Sequence, residues 1–177
     1  MNSTDRPTVA ATTNKEYMMT RPSSNRRGFT LVELVAVIVV LAILSGIAVP
    51  KYLDYSARAK SAALQGALGG IRTGIAQYFA DQSVSGTAAY PTLAQLTTLN
   101  TVMQEALPPN PYNGLSNVTT ATATEAAAAT RTVAGTAGWR FYVDNTLATP
   151  AAVFYANDST ATRVLDSTGA AITANKL

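Results

Sequence analysis

The sequence contains neither cysteine nor histidine. Disulfides and thiolate chemistry are therefore excluded, and the commonest general base and the commonest metal ligand are both missing. Charged residues make up only 13% of the chain, so an enzymatic reading starts with few catalytic groups. The excess of three basic charges vanishes when the chain is divided at Gly28: residues 1–28 hold five basic and two acidic residues, and residues 29–177 hold eight of each. The sequence pI of about 9.3 is thus largely a property of the first 28 residues. It argues against the clustered basic footprint of a nucleic-acid-binding domain, and no nucleic-acid partner is favoured. One long stretch lacks polarity altogether: no polar side chain occurs from Leu34 to Leu44, and the 21 residues from Phe29 to Val49 carry a single charge, Glu33.

As a helix rising about 1.5 Å per residue, Phe29 to Val49 would span roughly 30 Å of hydrocarbon. Arg26 and Arg27 precede it, which by the positive-inside rule places the N-terminal side in the cytoplasm. An ionisable group inside such a helix needs a partner. Two plainer readings compete. A secretory signal peptide would use the 11-residue apolar core and the small residues Gly46-Ile47-Ala48 for cleavage, but Pro50 stands close behind that bond and the segment continues as a patterned helix. A simple signal anchor accounts for the hydrophobicity and the basic flank and leaves Glu33 unexplained.

The run Gly28-Phe29-Thr30-Leu31-Val32-Glu33-Leu34, followed by the apolar stretch and Val49-Pro50-Lys51-Tyr52, resembles the N-terminal signature of type IV pilins and type II secretion pseudopilins. The resemblance is close from Arg26 to about Tyr52 and holds elsewhere only in outline. It implies cleavage by prepilin peptidase between Gly28 and Phe29, N-methylation of Phe29, and pairing of Glu33 with the Phe29 amine of a neighbouring subunit. It further implies an inner-membrane platform protein and an assembly ATPase as partners. The chain would sit in the bacterial inner membrane as a single-pass protein, leader in the cytoplasm and head outside, before entering a filament of its own kind or of mixed subunits.

Residues 1–28 are polar and unpatterned, as expected of a disordered leader. Met18 and Met19 offer alternative starts, and Met19 would open a compact basic leader. Pro50 lacks the amide hydrogen for a bond to residue 46, so a kink or a loosened turn is expected there. Beyond it Leu64, Leu68, Ile71, Ile75 and Tyr78 recur at helical spacing, with Phe79 adjoining, and the helix should end near Asp81-Gln82-Ser83. Gly66, Gly69, Gly70 and Gly74 weaken that helix by about 1 kcal/mol each relative to alanine, in return for close backbone approach or simply as soft points.

Thr92-Leu93-Ala94-Gln95 has the form of a capping box after Pro91, which predicts a helix from Thr92 to about Leu107, terminated by Pro108-Pro109-Asn110-Pro111. A helix ending in a Leu-Pro-x-Asn-Pro-Tyr run is a feature the resemblance associates with pseudopilin heads. Residues 117–138 are rich in threonine and alanine and read as a surface excursion, with a turn or two of helix around Thr124 to Ala129. After Gly138 the period becomes two. Trp139, Phe141 and Val143 alternate with Arg140, Tyr142 and Asp144, and strands are predicted there, over Ala151 to Ala156, over Arg163 to Leu165 and over Ala170 to Thr173, forming one antiparallel sheet of three or four strands.

The fold expected is therefore α+β and pilin-like, a long kinked N-terminal helix packed on a small antiparallel head. Its parts are a leader over 1–28, a membrane or filament-core half over 29–53, and a head over 54–177. No catalytic residue and no cofactor is assigned. Asp144, Asn145, Asn157, Asp158 and Asp166 are dispersed among C-terminal loops, so turn roles are favoured over a calcium site. Tyr78, Tyr90, Tyr112, Tyr142 and Tyr155 are read as packing residues before an exposed contact surface. The function expected is that of a structural filament subunit, of a secretion-type pseudopilus first and of an adhesive, motility or DNA-uptake pilus second. A membrane-anchored periplasmic binding module is the alternative from another class.

Overall fold

A computed structural model describes residues 28–177. The leader expected over 1–28 lies outside these residues except for Gly28. The chain forms two units divided between Ala42 and Ile43. Helix α1, Leu31–Val84, begins in the first and continues through the second, ending within a residue of the predicted stop. Pro50 lies inside it rather than ending it.

The second unit is built on the apolar stripe. Leu64, Leu68, Ile71 and Ile75 are buried, and they meet Leu96, Trp139, Phe141, Phe154, Ala156 and Ala174 in one core. Each large aliphatic or aromatic side chain so buried contributes about 1.5–3 kcal/mol. Of the four glycines in the amphipathic half of α1, only Gly74 has a close neighbour: a Cβ there would lie 2.8 Å from the Met103 sulfur and 3.4 Å from the Val102 carbonyl. Gly66, Gly69 and Gly70 face open space, so close approach within the chain explains one glycine of four.

Helix α2 is Leu93–Thr97, five residues instead of the fifteen or so predicted. Its start is as expected: the Thr92 hydroxyl accepts from Gln95 N at 3.3 Å, and the Gln95 side chain accepts from Thr92 N at 2.8 Å. Its early end has a local cause. The Thr97 and Thr98 hydroxyls bond back to the Leu93 and Ala94 carbonyls, and Asn100 takes a positive φ of 62°. Short polar side chains compete for the backbone in this way and favour turns over helix. Leu99, Val102, Met103 and Leu107 thus come from an irregular segment, and Val102, Met103 and Leu107 still pack against the core.

The sheet departs from expectation in two respects. Strands β1 (Val118–Thr120), β2 (Trp139–Asp144) and β3 (Ala151–Ala156) form one sheet in that order. β2 and β3 are antiparallel with Phe141 opposite Phe154 and Trp139 opposite Ala156, whereas β1 joins β2 in parallel. Strands β4 (Ala161–Leu165) and β5 (Ala171–Thr173) form a separate antiparallel pair. The sheet is mixed, and its predicted third and fourth strands make their own hairpin.

The Thr/Ala-rich segment is more than a surface excursion. It supplies β1 and one turn of helix, α3 (Ala123–Ala126), opened by a second capping box between Thr122 and Glu125. Together they cover the face of β2 that carries Arg140. Arg140 is only 5% exposed. It donates to the Glu125 carboxylate at 2.8 Å and to the Thr120 carbonyl at 3.0 Å. The N–H and hydroxyl of Thr122, together with Arg140, hold the Glu125 carboxyl below its ordinary pKa. On the same face the Tyr155 hydroxyl donates to the carbonyls of Glu125 and Thr132. A buried guanidinium without such partners would be strongly destabilising, which is why the cover and the arginine occur together.

The Pro-rich run fastens helix to sheet. Asn110 is fully buried; its amide donates to the Gly138 carbonyl at 2.8 Å and its oxygen accepts from Tyr112 N at 3.0 Å. The Trp139 indole donates to the Pro108 carbonyl, and the Tyr112 and Ser61 hydroxyls lie 3.0 Å apart. Gly138 fits because any Cβ there would collide with the Leu115 carbonyl. Replacing Asn110 by alanine leaves the Tyr112 N–H without its acceptor and the Gly138 carbonyl with only the Asn157 N–H, so the unfolding free energy should fall by about 2 kcal/mol. Denaturant titration followed by the fluorescence of Trp139, the single tryptophan, measures it. A change within about 0.5 kcal/mol, as at an ordinary surface position, would remove this junction from the account.

Candidate functional site

The residues with an expected role in processing and assembly lie at the start of the described chain. Gly28, Phe29 and Thr30 precede the first turn of α1 in extended or irregular backbone and are exposed. A Cβ built on Gly28 meets nothing within 4 Å. Phe29 is 83% exposed.

Thr30 is the residue that reading the sequence for charge missed. Its hydroxyl accepts from Glu33 N at 3.2 Å, while Thr30 N and the Thr30 hydroxyl both donate to Glu33 Oε2, at 2.8 and 2.9 Å. The Thr30 carbonyl accepts from Leu34 N, the first bond of the helix. This is a capping box, in which threonine and glutamate satisfy each other's orphan N–H groups at the helix start. The pattern Thr-x-x-Glu before an apolar run was the available signal, the same one that located Thr92. Glu33 therefore marks the helix start through a defined contact. Both of its bonds use Oε2, and among the described residues nothing donates to Oε1, which remains open to a donor from elsewhere.

The side chains that follow are apolar and uncovered. Every residue from Gly28 to Leu53 is exposed, including Leu34, Ile38, Leu41 and Leu44, each more than half exposed. α1 is long and apolar enough to cross a membrane. Exposed apolar surface on this scale marks a helix whose surroundings are lipid or protein rather than water.

The other candidates fall into their own local roles. Asp144 accepts from Thr146 N and its hydroxyl, and Asp166 from Thr168 and from Ala170 N. Those bonds hold both carboxyls below the ordinary aspartate pKa. Asp158 accepts from Thr160 N, Asn145 bonds both backbone groups of Tyr90, and the buried Asn157 amide bonds the backbone of Ala134 and Ala137. Among the described residues no three histidine, cysteine, aspartate or glutamate side chains converge on a common point. The tyrosines pack: Tyr90 stacks on Phe79 with ring centres 4.2 Å apart, Tyr78 accepts from the Gln95 amide, and Tyr112 and Tyr155 are fixed as described.

The family comparison falls on this same segment. Residues 23–49 match the prokaryotic N-terminal methylation motif. Fimbrial protein EcpC of Eikenella corrodens is 39% identical over 59 residues, 33% of this chain and 39% of that protein. The type IV major fimbrial protein FimA of Dichelobacter nodosus is 37% identical over 68 residues, 38% of this chain and 42% of that protein. The chain thus spans about two fifths of the length of the curated relatives it matches. No solved structure matches it. In its N-terminal methylation motif, which runs into the apolar start of α1, the chain is similar to type IV fimbrial proteins.

Proposed function

We propose that this chain is a structural, non-catalytic subunit of a type IV filament. The observation that carries the reading is the uncovered apolar surface of α1 directly behind Gly28, Thr30 and Glu33. Residues 1–28 would be the leader removed by prepilin peptidase, with N-methylation of the new terminus at Phe29. Residues 29–53 would lie in the inner membrane and then in the filament core, and residues 54–177 would be the exposed head. On assembly, helix-helix contacts replace lipid contacts around the apolar side chains, and Pro50 gives the helix a place to bend. A platform protein and an ATPase would supply the machinery.

The matched relatives are fimbrial proteins, which favours a pilus. The Leu107-to-Tyr112 junction, with Asn110 buried within it, supports a secretion pseudopilus as the second reading. The test is mass spectrometry of sheared surface filaments from cells expressing the chain, in which it should appear with a methylated Phe29 terminus. Recovery only as a soluble periplasmic protein beginning at Val49 would overturn the reading. Deletion then separates its two forms, since loss of surface fibres marks a pilus and retention of exported enzymes marks a pseudopilus.

A further inference from the structure

Immediately behind the apolar run, α1 carries a band of cationic and phenolic side chains that the head does not use. Lys51, Tyr52, Tyr55, Arg58 and Lys60 are all exposed. Tyr52 and Tyr55 are 72% and 65% exposed, in contrast to Tyr78, Tyr90, Tyr112 and Tyr155, which are packed or hydrogen-bonded. Steps of four and three residues place Lys51, Tyr55 and Arg58 on one side of the helix, away from the stripe of Leu64, Leu68, Ile71 and Ile75. With Pro50 and Asp54 they line an open cleft of about 420 Å³. Asp54 is the one acid among them, and it is divided between Arg58 and Arg163 of β4, at 2.9 Å from each. Arg58 and Arg163 therefore share one carboxylate, while Lys51 and Lys60 form no ion pair among the described residues.

We propose that this band is a contact for anionic phospholipid headgroups, holding this part of α1 at the bilayer surface before assembly. Rings with a hydroxyl tip and cations on long apolar stems are suited to the layer between hydrocarbon and water, and the sign of the band matches phosphatidylglycerol. The position fits as well: the band begins at Lys51, two residues beyond the end of the apolar run at Val49. The inference rests on the reading of residues 29–49 as membrane-inserted.

The full chain reconstituted in phosphatidylcholine bilayers with spin-labelled phosphatidylglycerol or phosphatidylcholine gives the relative association of the two lipids by electron spin resonance. Phosphatidylglycerol should be preferred, less so as salt is raised. The combined variant Lys51→Gln, Arg58→Gln, Lys60→Gln should lose that preference, by at most roughly fivefold per cation removed. Asp54→Asn, which releases two guanidiniums, should increase it. The leader cations are common to all variants and cancel in the comparison. An unchanged preference in the triple variant, or a decrease in Asp54→Asn, overturns the proposal. So does inorganic phosphate reducing the preference more than chloride at equal ionic strength, which would mark a free-anion site. Loss of self-association with the lipid preference intact would reassign the band to a second copy of the chain. Flotation with pure phosphatidylcholine vesicles reports insertion separately, so failure of the membrane reading is distinguishable from failure of the band.

Discussion

Replacing Gly28 by leucine should leave the leader on nearly every molecule in the membrane fraction, while the wild-type chain is recovered beginning at Phe29. Two observations make this a test of recognition rather than of folding. Among the described residues a Cβ at Gly28 meets no atom within 4 Å, and the residue lies outside the helix, so the substitution costs the described structure almost nothing. Any loss of cleavage must then arise where a peptidase grips the junction, and glycine is the residue that lets another backbone approach without a side chain in the way. Intact mass of the detergent-extracted protein decides. Wild-type processing of Gly28→Leu would sink the assignment of the junction. Cleavage of both forms at Val49 would point to an ordinary signal peptide, against which stands the placement of Gly46 to Val49 inside a continuous helix.

What the sequence disclosed and what it concealed follow from the range of the interactions involved. The spacing of Leu64, Leu68, Ile71 and Ile75 is a local property, and it located both the helix and its buried face. The alternation through Trp139, Phe141 and Val143 likewise located β2 and its core side. It gives no sign that Arg140 is buried, because burial of that side chain depends on Glu125 and on α3, which come from a segment whose composition suggests solvent. The partner of β1 was equally hidden, since a parallel pairing between Val118 and Trp139 has no signature in the three residues of the strand. Asn157 reads as a turn residue and Asn110 as part of the run that ends a helix, yet both are buried, where they donate to the backbone carbonyls of Ala134, Ala137 and Gly138. Thr30 is legible by the same local rule, since a hydroxyl three residues before a glutamate at the head of an apolar run is the pattern of a capping box.

That capping box sharpens the prediction for Glu33. Glu33→Ala should leave membrane insertion largely intact and reduce the share of processed chain found in filaments roughly tenfold or more, if an unpaired terminal amine in an apolar core is as unfavourable as expected. The alanine variant alone cannot say why, because it removes the negative charge and the contact with Thr30 together. Glutamine separates them. It can still accept from Thr30 N, as Gln95 does from Thr92 at 2.8 Å, but it carries no charge. Thr30→Ala does the reverse, losing the hydroxyl that accepts from Glu33 N while keeping the carboxylate. If assembly depends on pairing between Glu33 and the amine exposed at Phe29 of a neighbouring subunit, Glu33→Gln should fail like alanine and Thr30→Ala should still assemble. If Glu33 serves only to start the helix, Glu33→Gln should assemble at wild-type levels, and the loss in Thr30→Ala should approach that of Glu33→Ala. Quantifying sheared filaments against total processed protein in the three variants distinguishes these outcomes. The open Oε1 favours the first, because a carboxylate that caps its own helix with one oxygen still has the other for an incoming amine.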